Sequence, residues 1–265
     1  MARLLQLSDL HVVAPGARAS DVLDTRALLR SAIDRLLGSL DAIGPLDAVL
    51  VTGDVSDDGS AASYDFARAE LGRLDLPLLV VPGNHDQRDA LRDAFADAAP
   101  MPREGLIDWV ADLPGCRIVG LDTLVEGQGG GRLRVETLDL LGEAVRGSPH
   151  EALVVALHHP PLRTGIRFMD AIGLENSGAL AGCLDGASCF VQVVAGHVHG
   201  VYHGRVGRWP VSTAPALCSA FALDRRVEAP VGFWTGPKGC AVIDTGPDGI
   251  WTAILLEDAD GPYAF

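Results

Sequence analysis

Short apolar runs that end in polar turns alternate along this chain with longer stretches in which apolar positions recur at helical spacing. Residues 3–8 (Arg-Leu-Leu-Gln-Leu-Ser) predict a first strand. Residues 20–37 carry Val22, Leu23, Ala27, Leu28, Ala32, Ile33, Leu36 and Leu37 on a helical period, which predicts a crossover helix with Ser20 as its N-cap and Gly38 as its stop. Residues 46–51 predict a second strand, 60–74 a second helix, and 76–81 a third strand with the β-branched content of a buried parallel strand. The first third of the chain therefore reads β-α-β-α-β. Right-handed crossovers bring the carboxyl ends of such strands to one edge, where reactive side chains of open α/β sheets collect.

Beyond this point the pattern changes. Residues 89–98 predict a short helix, and 106–110 with 116–122 predict antiparallel neighbours, which makes the sheet mixed. The Gly127–Gly131 stretch lacks the pattern of a phosphate-binding loop and reads as a mobile surface loop. Residues 135–145 predict a helix, 151–157 a strand that feeds His158-His159-Pro160-Pro161, and 190–195 a strand that feeds Gly196-His197-Val198-His199. Segments 209–213, 239–245 and 249–256 read as closing strands or hairpins. No internal repeat or linker divides the chain, so residues 1–265 read as one domain, in which the strands from about residue 205 close the sheet or contribute a cap or a contact between copies.

Composition narrows the partners. With 265 residues, 48% of them hydrophobic, a sizeable core is expected. The net charge of −14 would repel long nucleic acids and acidic membrane surfaces, but leaves open a small anion drawn in by bound cations. The N-terminus lacks the apolar core of a signal peptide, and no apolar run approaches the ~20 residues of a membrane span. The cysteines 116, 183, 189, 218 and 240 are odd in number, widely spaced and without a C-x-x-C pair, which suits reduced thiols in a cytoplasm.

The predicted strand ends carry the chemistry. Alternation along the first strand would throw Asp9 and His11 to one side, Gly53 turns the chain at Asp54, and Pro82-Gly83 precedes Asn84-His85-Asp86. Of the 8 histidines, six (His11, His85, His158, His159, His197, His199) lie in these turns, where core-filling imidazoles have no reason to be. With Asp9, Asp54 and Asn84 they make a mixed O/N donor set without thiolate, suited to Fe, Mn, Co or Zn. The candidates exceed what one ion takes; if Asp54 bridges, seven of them form two four-ligand sites.

At this point the sequence resembles the calcineurin-like metallophosphoesterases. Their blocks D-x-H, GD, GNH[DE], H and G-H-x-H appear in order as Asp9-Leu10-His11, Gly53-Asp54, Gly83-Asn84-His85-Asp86, His158 and Gly196-His197-Val198-His199. The resemblance implies a sandwich of two mixed sheets flanked by helices in αββα layers. It also implies two divalent or trivalent transition-metal ions, one held by Asp9, His11, Asp54 and His199 and the other by Asp54, Asn84, His158 and His197. His85 would face the leaving oxygen. Within the family, the segment from His158-His159-Pro160-Pro161 through Met169-Asp170 to Glu175-Asn176 looks most like the bacterial class III cyclic-nucleotide phosphodiesterases and the glycerophosphodiesterases.

The implied mechanism uses two cations to give hydroxide from a shared water for in-line attack, with His85 and Asp54 as the catalytic groups. Asp86 either orients His85 or stabilises the turn; His159 either backs His158 or fills its turn, and the non-ligand reading is preferred. Residues 163–176 are expected to wall the pocket, with Glu175 and Asn176 reaching substrate hydroxyls beside Asn84 and His85. Phosphatases of this fold carry Arg where this chain has Asp58, and nearby carboxylates such as Asp57 and Asp58 would oppose the second charge of a monoester, so a monoanionic diester is favoured over a dianionic monoester. Phosphomonoesterase or nuclease activity on the same scaffold is the alternative, and a binding protein that had lost the chemistry should lack ligands. His150 and His203 read as surface residues or as partners in local hydrogen bonds; Trp209, Phe221, Phe233 and Trp234 either line a base or alcohol pocket or pack in the core, and core is preferred for most of them.

Overall fold

The computed structural model describes residues 1–98, 100–246 and 249–257. Its first sheet is built on three parallel strands, β1 (Arg3–Leu7), β2 (Ala48–Thr52) and β3 (Leu78–Val81). The late strands β12 (Gly239–Asp244) and β13 (Ile250–Leu255) add to it antiparallel, giving the order β13-β12-β1-β2-β3. The second sheet has the order β4-β5-β6-β7-β9-β8, from β4 (Trp109–Leu113), β5 (Cys116–Leu121), β6 (Ala152–Leu157), β7 (Phe190–Ala195), β8 (His203–Val206) and β9 (Trp209–Thr213). Its four inner strands are parallel, and β4 and β8 close the edges antiparallel. A small hairpin, β10 (Ala220–Phe221) with β11 (Phe233–Trp234), stands apart.

Strand periodicity explains the layering. Along β6, Val154 and Ala156 join the core shared with β1, β2 and β3, whereas Leu153, Val155 and Leu157 join a second core with α4 (Val135–Arg146) and α6 (Ser177–Leu184). Both faces of β6 are thus buried, as an inner parallel strand requires. Helices α1 (Thr25–Ile43) and α2 (Ala61–Gly72) pack into the first core through Leu29, Ile33, Leu36, Tyr64 and Leu71. Each such buried side chain contributes roughly 1.5–3 kcal/mol. The sheets are tied together by Gln6 Nε2 donating to the Ala195 carbonyl at 3.1 Å and by Trp109 Nε1 donating to the Val80 carbonyl at 2.7 Å. Two mixed sheets flanked by helices match the expected fold class. Among the described residues, no helix is long and apolar enough to cross a membrane.

The departures from expectation are local. Helix α1 begins at Thr25 because Ser20 and Asp21 have φ of 48° and 60°, outside helical space, and Asp24 supplies the cap by accepting from Ala27 N at 3.0 Å. It runs through Gly38 and ends at Gly44, where φ reaches 85°. Strand β4 lies three residues later than expected, because Pro114-Gly115 makes a two-residue turn between the partners Leu113 and Cys116. The small-residue helix α6, α5 (Arg167–Ala171) and β8 were not expected; α3 (Arg88–Ala94) is shorter than its pattern.

Asp108 ties the β4–β5 hairpin to α4, accepting from Asp122 N and from Thr137 Oγ1, each at 2.7 Å. Burial raises its pKa from 3.8 to about 6. A carboxyl raised on folding contributes stability below its unfolded pKa, and that contribution is lost as pH rises through the folded value. Asp108→Asn, which mimics the neutral acid, is therefore expected to raise unfolding stability at pH 7.5 by about 3 kcal/mol and to leave it unchanged near pH 3.5. Denaturant midpoints at the two pH values check this; an equal shift at both would remove the ionisation as its cause.

Candidate metal centre

All seven candidate ligands follow the carboxyl ends of parallel strands: β1 leads to Asp9 and His11, β2 to Asp54, β3 to Asn84, β6 to His158, and β7 to His197 and His199. Five of them sit in the left-handed region, with φ of 54° at Asp9, 46° at His11, 50° at Asp54, 70° at His197 and 44° at His199. Such residues cost of order 1–3 kcal/mol each and persist where the surroundings over-determine them. Here the surroundings are paired loops: Asp9 N donates to the Gly53 carbonyl, His11 N to that of Asp54 and Val12 N to that of Val55. Strand alternation, which stops at Leu7, does not aim Asp9 and His11; these turns do. The glycines of the turns allow close approach, since a Cβ at Gly83 would lie 2.1 Å from Asp54 Oδ1 and one at Gly196 would lie 2.0 Å from Ser8 Oγ.

The hydrogen bonds at the rear of each ring decide what its front presents. His158 Nδ1 donates to the Thr52 carbonyl at 2.8 Å, so in the neutral ring Nε2 carries the lone pair. That atom faces Asp54 Oδ2 at 3.2 Å and Asn84 Oδ1 at 3.1 Å. His197 Nε2 donates to the Ile172 carbonyl at 3.0 Å, leaving Nδ1 against the same Asn84 Oδ1 at 2.9 Å. His11 Nδ1 donates to Asp57 Oδ1 at 2.8 Å, and its Nε2 faces His199 Nε2 at 3.1 Å and Asp54 Oδ2 at 3.4 Å. His199 Nε2 also faces Asp9 Oδ1 at 3.4 Å. With the His158, His197 and His11 rings neutral, acceptor opposes acceptor at Asp54 Oδ2 and Asn84 Oδ1, an arrangement that needs positive charge at its centre.

Ligand atoms that share an ion at ~2.0–2.2 Å stand about 3.0–3.6 Å apart, the range of these contacts, so the residues fit a metal. Asp54 Oδ2 is common to the His11 side and the His158 side. The electrostatics agree: burial pushes His158 down, but the charge and hydrogen bond of Asp54 outweigh it and bring the ring to about 9. Burial likewise raises Asp9, and the facing His199 overcomes this to hold it at about 2. The cluster attracts cations.

The family model for calcineurin-like phosphoesterases matches residues 2–201. The chain belongs to the calcineurin-like phosphoesterase family. A 3',5'-cyclic adenosine monophosphate phosphodiesterase, CpdA, from Pseudomonas aeruginosa is 32% identical to it, over 97% of this chain and 93% of the relative. A glycerophosphodiester phosphodiesterase, GpdQ, from Enterobacter lignolyticus is 27% identical, over 80% and 76%. Among solved structures, the purple acid phosphatase PPD1 of yellow lupin shares the fold with a TM-score of 0.61 at 13% identity, over 92% of this chain and 49% of that one.

Around the cluster this phosphoesterase departs from several expectations. Asp86 does not orient His85; it is buried and accepts from Gly83 N, Ser56 N and Val55 N at 2.8, 3.0 and 3.2 Å, which makes it the staple of the turn. The carboxylate beside His85 is Asp57, whose Oδ1 lies 3.2 Å from His85 Nδ1 while also accepting from His11. Burial lowers His85, but Asp57 and Asp54 outweigh it and raise the ring to about 9. Asp58 turns away to Ala14 N, Ser60 N and the hydroxyls of Ser56 and Ser63. His159 has both nitrogens occupied, by Thr123 Oγ1 at 2.8 Å and the Gly129 carbonyl at 3.0 Å, so the structure favours its non-ligand reading. The Gly-rich stretch is therefore no free surface loop; it seats His159 and is strapped to segment 173–175 through Gly131.

Glu175 and Asn176 stand apart from the cluster. Asn176 exchanges two hydrogen bonds with the Leu133 backbone, both at 3.0 Å, and Glu175 is exposed with Arg132 Nη1 at 3.8 Å. A cavity of about 440 Å³ opens over the candidate ligands; Phe168, Met169 and Ile172 of the expected 163–176 segment wall it, as do Phe221 and Phe233 of the hairpin, two rings read mostly as core, whereas Ser219 and Cys218 behind His199 were not singled out by sequence as walls. Trp234 is exposed, and Trp209 packs on the second core.

Because Asp54 Oδ2 serves both ligand groups, Asp54→Asn is expected to lose more bound metal per chain than Asp9→Asn, at least half of the total against less than half. Elemental analysis of Mn-loaded protein checks this, and equal retention would remove Asp54 from the shared position.

Proposed function

We propose that this phosphoesterase is a two-metal phosphodiesterase that hydrolyses small diesters, 3',5'-cyclic nucleotides or glycerophosphodiesters. The observation that carries the reading is the convergence of acceptors on Asp54 Oδ2 at the floor of a cavity whose lining includes no Arg or Lys among the described residues. Two cations bound there acidify water and neutralise phosphoryl oxygens. One group is Asp9, His11, Asp54 and His199, and the other Asp54, Asn84, His158 and His197. The relatives support the diester, since those named above carry cyclic-nucleotide and glycerophosphodiester activities in their names.

The chain's own residues divide the remaining work. Asn84 offers its amide oxygen between His158 and His197, and His85 N donates to Asp54 Oδ1 at 2.9 Å, which fixes the bridging carboxylate. The His85 ring is 42% exposed and bonded through Nδ1 to Asp57, which leaves Nε2 for the leaving oxygen as a general acid. A monoester brings a second negative charge to a cavity where Asp57 already faces the site, whereas a diester brings one. The like charge is thus Asp57 and not Asp58.

The reading of the chain as one domain is supported by β12, which pairs directly beside β1, with Arg3 opposite Asp244. The five free cysteines support a reducing compartment, the cytoplasm.

Two outcomes follow. With Mn-loaded protein, kcat/KM for bis(p-nitrophenyl) phosphate should exceed that for p-nitrophenyl phosphate by at least tenfold; the leaving group is the same and only the charge differs, so a monoester preference would sink the diesterase reading. His85→Ala should slow an alkyl-leaving diester by roughly 10²–10⁴ and a nitrophenyl diester far less, with metal content retained. Equal slowing of both would mean that His85 acts on the phosphoryl group or the metal geometry.

A further inference from the structure

We infer that the apolar wall of the cavity, formed by Phe168, Phe221 and Phe233, stacks the nucleobase of a nucleotide diester and so selects such substrates over glycerophosphodiesters. The inference rests on the phosphodiesterase reading and narrows it. The cavity lining is of two kinds. His11, Asp54, Asn84, His197 and His199 with Asp57 and His85 are polar, and the three phenylalanines with Leu23, Met169 and Ile172 are apolar. The two kinds meet where the Phe221 ring leans on the His199 ring, centroids 4.7 Å apart and tilted by 48°. A flat group joined to the phosphate through one sugar therefore reaches the aromatic wall.

These rings come from two separate elements, and two of them are backed by buried apolar side chains. Phe221 packs against the buried cluster of Ile166, Met169 and Val198, and Phe233 against that of Val13, Ala19, Leu23, Ala216 and Cys218. Phe168 is 42% exposed on the five-residue α5, where burial alone gives no reason for a phenylalanine. Every base has a π face, so aromatic walls of this kind bind bases without reading hydrogen-bonding edges.

Two polar atoms of the lining are already engaged. Ser219 Oγ pairs with His199 Nδ1 at 3.1 Å and the Gly129 carbonyl accepts from His159 Nε2 at 3.0 Å. Ser20 is exposed at the rim. Glycerol hydroxyls placed here would lose water without gaining partners, whereas a base would lose little. Glu175 and Asn176, the groups that sequence offered for such hydroxyls, are held elsewhere by Arg132 and Leu133.

The test uses Mn-loaded enzyme with cyclic AMP and glycerophosphoethanolamine. The wild type should show the higher kcat/KM with cyclic AMP. Phe168→Leu and Phe233→Leu keep apolar bulk and remove one ring each; each should lower the ratio of the two kcat/KM values at least fivefold, chiefly through KM for the nucleotide, as expected for the loss of a base–aromatic contact. Metal content confirms that the centre is intact. In parallel, calorimetry should give tighter binding of AMP than of glycerol 3-phosphate to the wild type, with the preference reduced in both variants. A wild type that prefers glycerophosphoethanolamine, or ratios and binding preferences that neither variant moves, would overturn the inference and leave the diesterase reading standing. If no diester, bis(p-nitrophenyl) phosphate included, is turned over, the diesterase reading fails, and the binding comparison alone then decides the inference.

Discussion

Buried acceptors that face one another are the constraint on which this molecule is organised. Asp9 and Asp54 are almost fully buried, and one oxygen of each lies within 4.8 Å of the other and of a ring nitrogen of His11. Two unit charges about 4 Å apart repel by about 4 kcal/mol at an effective dielectric of ~20. The imidazoles add lone pairs, because Thr52, Ile172 and Asp57 take the hydrogens at their other nitrogens. Such a cluster is stable only with positive charge inside it, from protons or from metal ions. Its five left-handed residues add backbone strain, so the protein holds an arrangement that neither sterics nor electrostatics would select without a cation.

What holds it is the pair of sheets. The ligands of the first sheet come from β1, β2 and β3, and those of the second from β6 and β7; the shared core and the Gln6–Ala195 and Trp109–Val80 links fix one sheet against the other. Within each sheet the ligand loops continue the strand pairing, as the bonds from Asp9, His11 and Val12 to the Asp54 loop show. A slip of one residue in β1 against β2 would break the bonds from Asp9 and His11 to the Asp54 loop that hold these turns. Rigid strand ends, and not the loops alone, therefore place the ligands, which is consistent with a family model that spans residues 2–201.

Much of this was legible in sequence where the signal is local. Apolar runs broken by Gly and Asp marked β1, β2, β3, β6 and β7 to within two residues, and the turns they feed hold the residues that the structure gathers. The signal failed where long-range contacts decide. Ser20 resembles a helix cap, but residues 19–23 form their own turn, and the real cap is Asp24. Asp57 and Asp58 are neighbours in sequence, and only the fold shows that the first faces the histidines while the second caps α2 through its serines. Asn176 resembled a ligand-binding amide until its partner proved to be the backbone of Leu133. Helix α6 (Ser177–Leu184) is built largely from small residues without a polar face, so periodicity had nothing to register.

The same division between local and long-range signals separates the two kinds of cavity wall. The ligand wall comes from strand termini, where pairing and packing leave little freedom. The apolar wall comes from α5 and the β10–β11 hairpin, short elements outside both large sheets, with little amphipathic pattern of their own. A change of residue there alters the wall without disturbing the strands that carry the ligands. A scaffold built this way can keep its candidate ligands while relatives differ in the wall beside them, because the two are held by different parts of the fold.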